Sequence, residues 1–99
     1  MLNIKKTIEK EAGVLTIEGR LDTVSAPALD QVIKELLPEL TALTLDFEKL
    51  DYISSAGLRV LLSAQKAMNK QGSMTVTHVN ETIMEIFEVT GFSDILTVV

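Results

Sequence analysis

Cysteine and tryptophan are absent from this 99-residue chain, and histidine occurs once, at position 78. Without cysteine there is no disulfide, no thiolate nucleophile and no cysteine-ligated metal. With one histidine a multi-histidine metal site is excluded, and His78 is the sole imidazole available for general acid–base chemistry. Proline is scarce: Pro27 and Pro38 are the only two. Long apolar runs are missing as well, since the uncharged stretches fall far below the ~20 residues of a membrane-spanning helix. The first residues, with Lys5, Lys6, Glu9, Lys10 and Glu11, have no apolar centre of a signal peptide. Positive charge is in deficit, 9 basic against 14 acidic side chains for a net −5. That balance argues against nucleic acid or an anionic bilayer as partner. A soluble cytoplasmic domain without direct membrane insertion is expected.

What remains is a chain that folds. Hydrophobic residues make up 46% and mean hydropathy is +0.28, enough for a core rather than disorder. Single cores grow up to roughly 250 residues, so residues 1–99 are expected to form one domain.

Period-two alternation from Leu2 to Ile8 and from Val14 to Ile17 predicts two strands joined by a Glu11-Ala12-Gly13 turn, the second closed by Gly19. Leu29, Val32, Ile33, Leu36, Leu37 and Leu40 recur at spacings of three and four and predict a helix. Thr23 or Ser25 can cap it, Pro27 suits its first turn, and Pro38 should stop it near Leu37. Leu43–Phe47 reads as a strand and Glu48–Tyr52 as a polar loop. A second helix is expected from near Ser55 to about Lys70, ending at Gly72, with Leu58, Leu61, Leu62, Ala64 and Met68 turned inward. Met74–Val79 alternates as a strand. Asn80 should cap a third helix that packs through Ile83, Met84, Ile86 and Phe87 and ends at Gly91. Phe92–Val99 should hold a last extended piece. The order implies an α/β fold, a mostly parallel sheet of about five strands opened by an N-terminal hairpin, with helices packed on it.

Chemistry concentrates between Asp46 and Leu62. A strand ends in a carboxylate, a loop follows, and Ser54 and Ser55 stand directly before a helix. Crevices at the carboxyl ends of strands are where ligands and partners bind in open α/β sheets. A serine here can be a helix cap worth ~1 kcal/mol. It can also be a phosphorylation site, because a helix amino terminus accepts the roughly −1.5 to −2 charges of a phosphoryl group. A serine hydrolase is disfavoured: Ser55-Ala56-Gly57 lacks the glycine two residues before the nucleophile, and His78 sits in an alternating strand. Neither glycine-rich phosphate loop occurs. Asp22, Asp46 and Asp51 could gather near the serines, but acids near turns are common and this spacing does not diagnose a metal. No metal or cofactor is expected.

The run Tyr52–Leu58 (YISSAGL), the upstream L-x-L-D-F and the G-R-L-D of Gly19–Asp22 resemble bacterial anti-sigma factor antagonists of the STAS domain family. Gly72–Asn80 and the F-x-x-T-G-F of Phe87–Phe92 extend the resemblance over essentially the whole chain. It implies a protein without catalytic activity that works by partner switching. Unphosphorylated, such a protein sequesters an anti-sigma factor that is also a serine kinase, freeing a sigma factor for transcription. The kinase then phosphorylates a serine at the second helix and the complex parts; a metal-dependent serine phosphatase resets it.

Aligned on Gly57-Leu58, the family's D-S-[ST]-G-L places the modified serine on Ser55, and its acidic residue after the second strand on Asp22. Ser54 stands where an aspartate is usual and becomes a competing acceptor; Arg59 replaces a common glycine and can pair with a phosphate. The resemblance thus implies a partner-binding set of Asp22, Thr23, Ser54, Ser55, Ala56, Gly57, Leu58 and Arg59. Other STAS domains are non-phosphorylated scaffold subunits of transport or signalling complexes, which is the alternative. Many relatives carry a further C-terminal helix that helps cover the sheet, so either this member lacks it or a partner supplies the cover.

Overall fold

Alternation at period two builds the first two strands. In a computed structural model, which describes residues 2–99, β1 (Leu2–Glu9) and β2 (Ala12–Leu21) form an antiparallel hairpin with Ile4 opposite Ile17. The turn is Lys10-Glu11 rather than Glu11-Ala12-Gly13, because Lys10 itself takes the left-handed conformation a tight hairpin requires, φ 58°. Nor does Gly19 close the second strand. It adopts φ 101° at a register shift, which glycine tolerates, and β2 continues to Leu21.

β2 is the spine of the sheet. Along one edge it pairs with β1; along the other it pairs in parallel first with β3 (Ala42–Asp46) and then with β4 (Leu50–Ile53). β5 (Ser73–Thr77) adds in parallel to β3. The polar loop expected over Glu48–Tyr52 is therefore mostly strand: Glu48 and Lys49 turn the chain, and Leu50–Ile53 resumes pairing further along β2. Its ends, Leu50 and Ile53, are buried while Asp51 and Tyr52 between them are exposed, a pattern too short and irregular to read as alternation.

Helices α1 (Ala26–Leu36), α2 (Ser55–Gln71) and α3 (Glu81–Thr90) bury their apolar stripes in one core. Leu29 and Ile33 from α1, Leu61, Ala64 and Met68 from α2, and Ile83 and Phe87 from α3 meet Leu15, Ile17, Leu45 and Val76 of the sheet. The alternate sheet positions, Val14, Thr16, Thr44 and Thr75, remain partly exposed on the other face. Leu62 is half-buried instead of inward, and Val60 and Gln65 take inward positions. Pro38 sits in a one-turn 3-10 helix, Leu37–Glu39, that ends α1. Asn80 caps α3 as the sequence predicts, its Oδ1 accepting from the Ile83 N–H at 2.8 Å. Gly91 ends that helix at φ 83°. The expected final strand is replaced by a 3-10 turn at Phe92–Asp94 and a single parallel bridge of Val98 to Val76. Ser93 and Asp94 favour local turns, so only the last residues reach the sheet edge.

Two glycines fix how α2 sits. At Gly57 an added Cβ would lie 2.8 Å from Leu21 Cγ and 2.9 Å from Ile53 Cγ1, so the first turn of α2 rests directly on the ends of β2 and β4. Gly72 ends α2 with extended, not left-handed, backbone (φ 170°), and is required because a side chain there would overlap the Thr41 carbonyl. Gly57→Ala is expected to cost about 1–3 kcal/mol through overpacking. Gly72→Ala should cost more, since Thr41 opposes it with rigid backbone; urea denaturation of both variants measures this.

Candidate functional site

The ladder between β2 and β4 aligns Arg20 with Tyr52 and Leu21 with Ile53. Its continuation places the next residue: the Ser54 N–H donates to the Leu21 carbonyl at 2.8 Å. Held by that bond in extended backbone (φ −99°, ψ 176°), Ser54 becomes the N-cap of α2. Its Oγ accepts from the Gly57 N–H at 3.3 Å and its carbonyl from the Leu58 N–H at 2.9 Å. Ser55 follows as the first helical residue. It is exposed, and its hydroxyl makes no hydrogen bond among the described residues. The capping role that the sequence allowed to Ser55 thus belongs to Ser54, because only Ser54 keeps the extended backbone that the ladder imposes. Ala56 is half-buried, Gly57 and Leu58 turn into the core, and Arg59 is exposed one turn beyond Ser55.

Beside this helix start lies the turn that leads into α1. Asp22 follows Leu21, and its Oδ1 accepts from the N–H groups of Val24 (3.1 Å) and Ser25 (3.0 Å). Ser25 Oγ accepts from the Asp22 N–H at 2.9 Å and donates to the Arg20 carbonyl at 2.7 Å. Neither Thr23 nor Ser25 caps α1 through its side chain; the carboxylate two or three residues upstream satisfies the turn instead. The Ser25 N–H is the main cause that holds the Asp22 carboxyl below its ordinary pKa; the Ser25 hydroxyl, the Val24 N–H and Arg20 add to it, against partial desolvation. The Arg20 guanidinium stands 3.9 Å from Asp22 Oδ2 and 4.3 Å above the centre of the Tyr52 ring. Arg20 and Tyr52 carry no signal in the sequence because their pairing needs β4, whose four residues lack a strand pattern. Thr23 is exposed beside them.

A family model described as Mlab, STAS domain matches residues 4–98. The anti-sigma-B factor antagonist of Bacillus subtilis is 30% identical over 83 residues, covering 83% of this chain and 76% of the relative. This chain belongs to the STAS-domain family of anti-sigma factor antagonists. The fold agrees. An anti-sigma factor antagonist from Mycobacterium paratuberculosis superposes with a TM-score of 0.90 at 21% identity, over 99% of this chain and 85% of that one. SpoIIAA of Bacillus, in unphosphorylated and phosphorylated forms, gives 0.78 and 0.77 at 17% identity, over all of this chain and 87% and 91% of those.

Of the other two candidate aspartates of this STAS domain, Asp46 is engaged elsewhere. Asp46 accepts from the Glu48 N–H and lies 2.9 Å from His78 Nδ1. His78 is not in the strand but just after β5, exposed, with φ 56°. Asp51 is exposed on β4. The metal cluster that the sequence disfavours for Asp22, Asp46 and Asp51 has no counterpart: among the described residues no three His, Asp or Glu side chains are grouped to hold a metal. No helix among them is long and apolar enough to cross a membrane.

Two expectations follow from this geometry. Ser54→Ala should lose about 1 kcal/mol of stability as a cap is removed, whereas exposed Ser55→Ala should stay within about 0.5 kcal/mol of the parent; urea titrations separate the two. For Asp22 the sign is that of a carboxylate with a depressed folded-state pKa. Its contribution is present above the ordinary Asp pKa and disappears as pH falls through the lower folded value. Thermal melts from pH 5 downward should therefore show a shallower acid loss in Asp22→Asn than in the parent.

Proposed function

We propose that this STAS domain, residues 1–99 acting as one module, is a phosphorylation-switched antagonist. Unphosphorylated, it sequesters an anti-sigma factor with serine kinase activity; phosphorylated on Ser55, it lets that partner go, and a metal-dependent serine phosphatase restores the binding form. The observation that carries the reading is the division of labour between the two serines. Ser54 spends its hydroxyl on the cap, while Ser55 presents a free hydroxyl in the first turn of α2. A kinase needs an accessible acceptor, and only the second serine offers one without breaking the helix start.

The surroundings suit a switch that acts on docking. A phosphoryl group on Ser55 joins the positive end of α2 and faces Arg59 one helical turn on, so the fold tolerates it. SpoIIAA, known with and without phosphate, keeps one fold, which supports a switch that does not unfold the domain. The partner meets Asp22, Thr23, Ser55 and Arg59 at the surface, with Ala56 at its edge. Ser54, Gly57 and Leu58 hold that surface in place. The scaffold alternative is favoured by one feature, the replacement of the usual carboxylate by Ser54; it predicts binding that is indifferent to ATP.

Incubation with the cognate anti-sigma kinase and ATP, followed by peptide mass spectrometry, is expected to place phosphate on Ser55. Phosphate on Ser54 alone, or on neither serine, contradicts the proposal. Ser55→Ala should bind the kinase and resist release by ATP, and Ser55→Asp should bind at least about tenfold more weakly.

A further inference from the structure

The side of α3 that faces away from the core carries more apolar surface than a solvated helix needs. Met84 and Ile86 pack against the core as expected but stay half-buried, and Val89 is 88% exposed. Two shallow grooves flank Glu85. One, of about 280 Å³, lies against Thr82, Ile86, Val89 and Thr90; the other, of about 340 Å³, lies against Val79, Met84 and Glu88. The first has mainly apolar walls; the second combines Val79 and Met84 with the glutamates Glu81, Glu85 and Glu88.

Charge identifies the occupant. The last 29 residues contain Glu81, Glu85, Glu88 and Asp94 and no lysine or arginine, so they hold four of the chain's five net negative charges. Glu81, Glu85 and Glu88 are all exposed on α3. Grooves that join apolar side chains to glutamates, with no basic residue in their lining, are complementary to apolar side chains bordered by bases. We infer that the outer face of α3 docks a cationic amphipathic helix of a partner protein. One aliphatic side chain seats in each groove, and Lys or Arg side chains reach Glu81, Glu85 and Glu88. This surface is on a different element from Ser55, so it serves as a second contact whether or not the Ser55 switch operates.

The probe is a synthetic amphipathic Leu/Lys helix of roughly 18 residues, about five turns, titrated into the ¹⁵N-labelled full chain. A peptide of the same composition with its order scrambled to remove the apolar face serves as the control. The expected result is chemical-shift change centred on Met84, Glu85, Ile86 and Val89, and affinity that falls as salt is added. Val89→Ser and Glu85→Lys, both at exposed positions, should each weaken binding at least about tenfold with unchanged melting. Ser55→Asp should leave it unchanged. Equal binding of the scrambled peptide, shifts spread over the whole surface, or insensitivity to both α3 variants would overturn the inference. So would self-association through α3 without peptide, which would assign the face to a second copy.

Discussion

The Ser54 N–H, bound to the Leu21 carbonyl at 2.8 Å, determines where the rest of the site falls. It extends the β2–β4 ladder by one residue, and a residue in that ladder keeps an extended backbone. The chain can enter α2 only after it, so the cap is Ser54 and the first helical side chain is Ser55. Gly57 then brings α2 down onto Leu21 and Ile53 with no room for a Cβ. The same strand end directs Asp22 into its own turn, where it organises the approach to α1. Two helix starts are thus set side by side by one pair of strand ends, and the exposed hydroxyl stands at that junction.

Magnitudes indicate what a phosphate at this junction would change. An anion near an exposed helix amino terminus is stabilised by roughly 0.3–1 kcal/mol, so the domain itself is little affected. At a closed interface the same dianion must be desolvated or left beside unpaired groups, which costs several kcal/mol. The second effect is the larger. A covalent mark on Ser55 would therefore act chiefly on whatever docks there. Asp22, whose turn holds its carboxyl below the ordinary pKa, already contributes negative charge near that surface.

Sequence reading located most elements where local signals are strong. Asn80 and Gly91 bracket α3 as cap and stop, and the apolar stripe of α1 is unambiguous. It failed where tertiary pairing decides. Leu50–Ile53 is only four residues, buried at both ends and exposed between, so nothing in its pattern separates strand from loop. With β4 unseen, the pairing of Arg20 with Tyr52 and the cap assignment to Ser54 were out of reach, since either serine is a good cap by residue type. Gly72 ends α2 as the sequence predicts, but the reason it must be glycine is its close approach to Thr41. The final ILTVV has strand composition, yet the turn before it leaves just one bridge to β5. The family motif points to Ser55; why the hydroxyl of that serine rather than its neighbour's is free of the cap is visible only from the register.

The central claim is that modification of Ser55 changes docking and not folding. Isothermal titration of the anti-sigma factor against the domain, unmodified and stoichiometrically phosphorylated on Ser55, tests it most directly when paired with thermal melts of both forms. The account predicts affinity lower by about 2 kcal/mol or more, roughly thirtyfold, on phosphorylation, with melting essentially unchanged. Equal affinity in the two forms, or affinity lost only together with the folded structure, would contradict it.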